Sequence, residues 1–125
     1  MAKEKAPRNK TLDTAPEAGA AYLARCVTVD APASLADVLD RTICGDALQV
    51  LPLLPRSCAD LIVADPPYNL NKRFDSGAFS RTSLEQYAAY TARWLDAAAP
   101  LLREGGSIYV CCDWQSSAVI QQALA

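Results

Sequence analysis

The segment Asp65-Pro66-Pro67-Tyr68 places a carboxylate, two prolines and an aromatic ring directly after a short apolar run. That run, residues 61–64, contains two β-branched residues and is typical of a strand buried on both faces of a parallel sheet. Pro66 forces Asp65 towards extended backbone, and neither proline can donate a ladder hydrogen bond, so we expect the strand to stop at Asp65. In open α/β sheets ligands bind at the carboxyl ends of the strands, where this segment lies.

The chemistry that this segment offers is a set of hydrogen-bond acceptors beside a flat ring. Asp65 supplies a carboxylate, the backbone of Pro66 supplies a carbonyl oxygen, and Tyr68 supplies an aromatic face. A planar ring that carries an exocyclic NH2 group would suit them, because its two protons match two acceptors and its π surface can stack. The alternative is an ordinary proline-containing β-turn with an exposed Asp. The strand immediately before the segment favours a site.

At these residues the chain resembles the S-adenosylmethionine-dependent DNA amino-methyltransferases, whose catalytic signature is Asp-Pro-Pro-Tyr or a close variant. Residues 43–48 (ICGDAL) resemble the Gly-Asp segment that precedes the signature in one permuted branch of that family. Trp94, Leu102 and residues 105–110 (GGSIYV) resemble the helix, turn and strand that follow it. The resemblance covers residues 41–125 in the right order and spacing.

The resemblance implies a Rossmann-like α/β methyltransferase fold, with parallel strands near residues 42–45, 60–65 and 107–112. It implies S-adenosylmethionine as the cofactor and DNA as the partner, with methyl transfer to adenine N6 or cytosine N4. An amino group inside a duplex cannot be reached, so the base must flip out of the stack. The site residues that it implies are catalytic Asp65, Pro66, Pro67 and Tyr68, with Asp46 and Asp65 beside the cofactor.

The polar stretch between Asn69 and Thr82 is long for a connection inside a compact domain, which indicates a functional loop or lid. Its cations alternate with Phe74 and Phe79, a pattern that suits a strand of nucleic acid beside the pocket. A surface loop with ordinary charges is the alternative. The predicted nucleic-acid contacts are Asn69, Lys72, Arg73 and Arg81.

Composition sets the outer limits of the interpretation. A chain of 125 residues fits one domain, and its 51% hydrophobic and 21% charged residues are ordinary for a globular protein. No apolar run approaches a membrane span and no secretory signal is visible, so we expect a cytoplasmic protein without membrane contact. Residues 1–17 are polar and basic and should form a disordered tail, which leaves 18–125 as a partial catalytic domain. Because the net charge is −2, contacts to DNA must come from local basic patches.

Histidine is absent, which excludes Ser-His-Asp and Cys-His catalysis. The five cysteines form no Cys-x-x-Cys pair, and Cys111 and Cys112 should point to opposite faces of a strand. We therefore predict no metal site and expect reduced, mostly buried thiols.

Capping patterns locate the helices. Ser34 with Asp37, and Ser83 with Gln86, are typical of capping boxes, and Asp46 is placed to cap a short helical turn. The second box should open a helix that runs to about residue 99, and a further helix should begin at about residue 116. The residues expected to form a buried stripe on the longer helix are Leu84, Tyr87, Thr91, Trp94, Leu95 and Ala98.

The family also needs a Gly-rich loop, usually Phe-x-Gly-x-Gly, and the glycines at 19, 45, 77, 105 and 106 do not form it. In the permuted branch this loop lies towards the C-terminus, beyond the target-recognition region. We therefore expect the front portion of such an enzyme, inactive alone, with the missing parts supplied by a second chain. Two alternatives remain: a methyltransferase acting on RNA or on a protein glutamine, and a non-enzymatic half of a split enzyme.

Overall fold

The computed structural model describes residues 15–69 and 82–125, together with the backbone of residues 72–74 and 77–79. Short 3-10 turns at Leu51–Leu53 and Ala99–Leu101 follow the third and fourth helices. The helices are α1 (Pro16–Leu23), α2 (Leu35–Val38), α3 (Ala47–Val50), α4 (Leu84–Ala98) and α5 (Ser117–Leu124), and the strands are β1 (Ala59–Ala64), β2 (Lys72–Phe74), β3 (Gly77–Phe79) and β4 (Leu102–Val110).

The predicted tail is wrong at its last two residues, because Pro16 and Glu17 form the first turn of α1. Proline is favoured at the start of a helix, where its missing N–H needs no partner. Residues 1–14 of the predicted tail lie outside the described part of the chain.

The central pair of strands, β1 and β4, is parallel, and residues 61–64 lie opposite residues 107–110. The ladder extends by one further hydrogen bond, from the Cys111 N–H to the Ala64 carbonyl oxygen at 2.8 Å. Near residues 42–45, where a third strand was predicted, there is only an isolated parallel bridge between Val27 and Ile43. The fold class is therefore confirmed as α/β with a parallel strand pair.

β4 begins at Leu102 and not at Ser107, so the predicted Gly-Gly turn is a bulge inside the strand. Leu102 lies opposite Ala59, and Ser107 lies opposite Leu61. An advance of five residues along β4, from 102 to 107, is therefore paired with an advance of only two residues along β1, from 59 to 61. Gly105 within this bulge has a φ of 77°, a conformation that residues with a Cβ rarely adopt.

Helix α4 opens with the predicted capping box. The Ser83 N–H donates to Gln86 Oε1, and the Gln86 N–H donates to Ser83 Oγ, both at 3.2 Å. The predicted stripe is confirmed at its five buried members, Tyr87, Thr91, Trp94, Leu95 and Ala98. Leu84 is the exception, with 55% of its surface exposed. Helix α5 lies against α4 and buries Ile120.

The two faces of the strand pair differ in exposure, which corrects the expectation of a strand buried on both faces. Ile62 and Ala64 are half-buried, whereas Leu61 and Val63 are 54% and 66% exposed. The described residues therefore leave one apolar face of β1 open to solvent. None of the described helices is long and apolar enough to cross a membrane.

Candidate functional site

The residues after β1 form an elbow, which we define as residues 65–69. β1 ends at Ala64, one residue before the stop at Asp65 that the following prolines predict. Exposure alternates along the elbow: Asp65 and Pro67 are exposed, and Pro66 and Tyr68 are half-buried. The carboxylate of the elbow is therefore accessible to a ligand at the carboxyl end of the strand.

Helix α4 contacts the elbow through Tyr87. The Tyr87 hydroxyl donates a hydrogen bond to the Pro67 carbonyl oxygen at 3.3 Å, and the Tyr87 side chain is only 5% exposed. Burial, which disfavours the phenolate, raises the pKa of Tyr87. The hydroxyl therefore keeps its proton, and its ability to donate, at neutral pH. The sequence predicted Tyr87 only as a core residue.

Asn69, at the end of the elbow, contacts Thr82 just before α4. Asn69 Nδ2 donates to the Thr82 carbonyl oxygen at 3.1 Å, and Asn69 Oδ1 accepts from the Thr82 N–H at 2.8 Å and from its hydroxyl at 3.3 Å. Asn69 is 9% exposed. This geometry indicates a role in holding the elbow, and the nucleic-acid contact that the sequence predicted for Asn69 stays a prediction. No sequence pattern names Thr82 as its partner.

Asp65 and Tyr68 are brought together within the elbow. A hydrogen bond to Asp65 is the main reason that the pKa of Tyr68 is raised, and burial and the Asp65 charge act in the same direction. The negative charges that Cys111 and Cys112 carry as thiolates raise it further. The parallel pairing of β1 with β4 thus brings both cysteines, exposed rather than buried as expected, near the predicted site.

A cavity of about 250 Å³ opens beside the elbow. The rings of Tyr87 and Tyr90 lie in its wall with centroids 6.2 Å apart and planes tilted by 34°. Aromatic walls of this kind suit a flat ring, which can stack or meet an edge. The residues that line the cavity are Pro67, Tyr68, Asn69, Thr82, Gln86, Tyr87 and Tyr90.

Asp46 caps α3 as predicted, since its Oδ1 accepts the Leu48 N–H at 2.8 Å. Its charge also reaches the cavity. The pKa of Tyr90 is raised chiefly by burial, then by Tyr87 and by Asp46. The predicted cofactor-side carboxylate therefore lies close enough to act electrostatically on a residue that lines the cavity.

The predicted basic contacts lie largely outside the described residues. Lys72 and Arg73 belong to β2, which pairs antiparallel with β3, but their side chains are not described. Arg81 lies outside the described residues altogether. Among the described side chains, no three His, Cys, Asp or Glu residues form a group that could hold a metal ion.

Comparison with known proteins gives a family match that includes the elbow, and matches to individual methyltransferases. A family model described as DNA methylase, for N6/N4 methyltransferases, matches residues 59–125. The Type II methyltransferase M.BamHI of Bacillus amyloliquefaciens is 35% identical over 66 residues, and M.HpaI of Haemophilus parainfluenzae is 33% identical over 70 residues. M.ScaI of Streptomyces caespitosus is 29% identical over 66 residues.

The match to M.BamHI covers 53% of this chain and 16% of the relative, and the match to M.HpaI covers 56% and 22%. The match to M.ScaI covers 53% of this chain and 20% of the relative. The chain thus corresponds to a small part of each of them. The family model, in contrast, spans more than half of the chain and includes β1, the elbow, α4 and β4. The resemblance predicted from the Asp-Pro-Pro-Tyr segment is confirmed, and the chain belongs to the DNA methylase family.

Proposed function

We propose that this chain carries the catalytic elbow of an enzyme that transfers a methyl group from S-adenosylmethionine to the exocyclic amine of a flipped adenine or cytosine in DNA. The observation that carries the proposal is the accessible Asp65 carboxylate, which is hydrogen-bonded to Tyr68 in the wall of an aromatic cavity of about 250 Å³. The relatives named as Type II methyltransferases support it. The partial catalytic domain, predicted from the sequence as residues 18–125, would begin with α1 at Pro16 and would act in the cytoplasm.

The chemical task of the elbow is to make a poor nucleophile competent. The lone pair of an exocyclic amine is delocalised into the base ring, so it attacks poorly. If the Asp65 carboxylate and the Pro66 carbonyl each accept one amino hydrogen, the nitrogen is drawn towards a tetrahedral geometry and its lone pair is freed. Asp65 also stabilises the positive charge that grows on the nitrogen, and such electrostatic stabilisation is usually the largest single term in catalysis.

Tyr68 and the other rings of the cavity would hold the base. Because Tyr68 lines the cavity and follows Asp65 by three residues, its ring can stack on a base whose amino group meets the carboxylate. In the free chain the Tyr68 hydroxyl is hydrogen-bonded to Asp65. The incoming amino group would take over this position as the donor to the carboxylate.

The residues that would hold the cofactor are Asp46 and Asp65. Asp46 is exposed, and its Oδ1 is engaged by the start of α3, which leaves the other oxygen for a ligand. The preceding Gly45 is closely packed, since a Cβ there would lie 2.7 Å from Val50 Cγ2. When bound, S-adenosylmethionine supplies an electrophilic methyl group. The carboxylates fit it, because they can accept its hydroxyl and amino hydrogens and complement its positive charge.

The rest of the enzyme would come from a further segment or a second chain. Two observations support this: the chain matches at most 22% of the three relatives, and Leu61, Val63 and Tyr109 leave an apolar strand face exposed. The added part would supply further strands, the Gly-rich loop and a region that recognises the DNA sequence. The proposed DNA contacts are those predicted from the sequence: Asn69, Lys72, Arg73 and Arg81.

Asp65→Ala in an enzyme reconstituted with its complementary part tests the proposal. Loss of the charged acceptor should cost about 3 kcal/mol or more of transition-state stabilisation, by analogy with loss of an oxyanion-hole donor. DNA affinity should change little, because the carboxylate acts mainly during transfer. Asp60→Ala is the matched control, since Asp60 is an exposed carboxylate of β1 paired with Arg103 at 2.9 Å and outside the elbow.

The measurement is tritium transfer from labelled S-adenosylmethionine to DNA, RNA and protein substrates. Methyl transfer to DNA that is lost in Asp65→Ala and kept in Asp60→Ala supports the proposal. Near wild-type turnover in Asp65→Ala removes the assigned role. Transfer to RNA or protein instead of DNA replaces the proposal with the first alternative, and no transfer to any substrate favours a non-enzymatic module.

A further inference from the structure

We propose that Tyr87 and Asn69 are positioning residues that fix the backbone of the elbow and so aim Asp65, the Pro66 carbonyl and Tyr68. The catalytic consequence rests on the function proposed above. The geometric claim does not, because it concerns contacts within this chain. Neither residue would touch the reacting atoms in this role.

The elbow retains few backbone torsions that can rotate freely. The rings of Pro66 and Pro67 fix φ in both residues, so the orientation of each carbonyl depends mainly on ψ. The Tyr87 hydroxyl holds the Pro67 carbonyl at 3.3 Å, which fixes the plane of the Pro67–Tyr68 peptide. The direction in which Tyr68 leaves the backbone is fixed with it.

Tyr87 is itself firmly held. It lies one turn into α4, after the capping box of Ser83 and Gln86, and it is 5% exposed. Fully buried Thr91 lies one turn further along the same helix. The donor to the elbow therefore belongs to the buried stripe of α4, so the helix core and the elbow are coupled by one hydrogen bond.

Asn69 holds the other end of the elbow. The Asn69 amide uses both its oxygen and its nitrogen on Thr82, in three hydrogen bonds of 2.8 to 3.3 Å. This contact fixes the exit of the elbow to the residue that precedes the Ser83 cap. The entry is fixed by the Cys111 N–H to Ala64 hydrogen bond of the strand ladder. The elbow is thus anchored before, within and after its two prolines.

Tyr87→Phe and Asn69→Ser test the proposal by removing the two anchors separately. The readout is the ionisation of Tyr68, followed by NMR of the ring carbon that bears the hydroxyl and assigned with Tyr68→Phe. The hydrogen bond to Asp65 raises the pKa of Tyr68, and this bond requires a correctly directed side chain. Tyr22→Phe is the control. It also removes a tyrosine hydroxyl, but from an exposed residue of α1 that lines no part of the cavity.

We expect the pKa of Tyr68 to fall towards its ordinary value in both variants and to stay unchanged in Tyr22→Phe. Tyr87→Phe keeps the ring, so it should retain the fold; should one variant not fold, the other decides. An unchanged pKa in every folded anchor variant, or an equal fall in the control, overturns the proposal. A purely structural role would lower the melting temperature without moving this pKa.

The reconstituted enzyme gives a second readout. Tyr87→Phe should lower kcat about tenfold or more while KM for DNA changes little, because misplacement of reacting groups by fractions of an ångström is felt mainly in the transition state. Loss confined to KM would contradict the positioning role. If the unsubstituted assembly transfers no methyl group, the proposed function fails, while the Tyr68 titration still decides whether Tyr87 and Asn69 position the elbow.

Discussion

Val63 of β1 lies directly opposite Tyr109 of β4 in the parallel ladder, and both side chains are 66% exposed. Leu61, two residues earlier, continues the same face at 54% exposure. Exposed apolar patches of this kind mark surfaces that another element covers. On the neighbouring positions Ile62 is paired with Ile108, and both are half-buried. The strand pair therefore has one packed face and one open face.

This difference in exposure predicts that a substitution to threonine lowers the free energy of unfolding by different amounts on the two faces. Val63→Thr should change the free energy of unfolding by less than about 0.5 kcal/mol, as an exposed substitution that keeps a β-branched side chain. Ile62→Thr places a hydroxyl on the packed face and should cost about 1–3 kcal/mol. Urea unfolding monitored by circular dichroism measures both. Equal costs would contradict the assignment of an open face in the isolated chain.

The sequence predicted the local features of the fold well, because they depend on short-range rules. Proline geometry predicted the end of β1 at Asp65, within one residue of its observed end, and the Ser83 and Gln86 capping box opened α4 where expected. The continuous apolar run of residues 61–64 was interpreted as burial on both faces, which is wrong for the described chain. An apolar run of this kind indicates that both faces of the strand can be covered by other elements. It does not indicate whether those elements belong to the same chain.

The contacts that hold the site could not be predicted in the same way. Tyr87 meets Pro67 across 20 residues and Asn69 meets Thr82 across 13, and no periodicity encodes either contact. The amphipathic pattern of α4 correctly placed Tyr87 in the core, but it gave no reason to expect that its hydroxyl reaches the elbow. The Gly-Gly pair was placed correctly but assigned to a turn, because bulge and turn glycines have the same sequence signature.

The glycine bulge of β4 gives a second stability prediction. A Cβ on Gly106 would lie 3.0 Å from the Arg103 carbonyl oxygen and 3.2 Å from the Asp60 carbonyl oxygen, and backbone atoms cannot easily move aside. Gly106→Ala should therefore destabilise the chain by about 1–3 kcal/mol. Gly105→Ala should cost about 1–2 kcal/mol, because its φ is 77°.

Gly19→Ala is the matched control for these substitutions. Gly19 lies in α1, and a Cβ added there would meet no atom within 4 Å, so alanine should stabilise by about 0.5–1 kcal/mol through its helix propensity. The midpoint of urea unfolding, compared at constant m value, measures the change in stability of all three variants. A neutral Gly106→Ala would show that the bulge relaxes freely.

Substitutions at Tyr68 separate its ring from its hydroxyl. If the ring stacks on a flipped base, Tyr68→Phe should retain methyl transfer in the reconstituted enzyme, whereas Tyr68→Ala should lose about 1–3 kcal/mol of base binding. Phenylalanine also removes the hydroxyl that is bonded to Asp65 in the free chain, so it leaves the carboxylate open to the amino group. Single-turnover rates and DNA affinity measure the two effects. Equal damage by Phe and Ala would assign the function to the hydroxyl.

Alkaline pH should destabilise the chain through its tyrosines. The pKa values of Tyr68, Tyr87 and Tyr90 are all raised, by the Asp65 hydrogen bond in the first case and by burial in the other two. In the unfolded chain these groups ionise near pH 10. Their contribution to stability is therefore fully present below about pH 10 and is lost as the pH rises through the folded-state values.

The measurement for this pH dependence is urea unfolding from about pH 8 to pH 11, compared with the Tyr87→Phe variant. Removing one of the three shifted groups should make the alkaline loss of stability shallower. Identical slopes in the variant and the unsubstituted chain would show that Tyr87 does not ionise differently in the two states.

The last prediction is that the 125-residue chain alone does not bind S-adenosylmethionine at micromolar concentration. The carboxylates of Asp46 and Asp65 supply charge, but the described residues include no Gly-rich loop whose backbone amides approach a bound cofactor closely. Ile43, close to Asp46 in the chain, bridges to Val27, while β1 pairs with β4, so in the described residues no strand joins the two halves of the site. Free strand edges and the open face of Val63 and Tyr109 should also make the chain prone to association.

Calorimetric titration of the purified, folded chain with S-adenosylmethionine measures this directly, and sedimentation at several protein concentrations measures the association. We expect no heat of binding and a concentration-dependent mass. Addition of a second chain that carries a Phe-x-Gly-x-Gly segment should produce both binding and methyl transfer. Asp65→Ala in the same mixture should lose the transfer and weaken the binding, because Asp65 is one of the two carboxylates assigned to the cofactor. Micromolar binding by the chain alone, or methyl transfer without a partner, would show that the cofactor site is complete within these 125 residues.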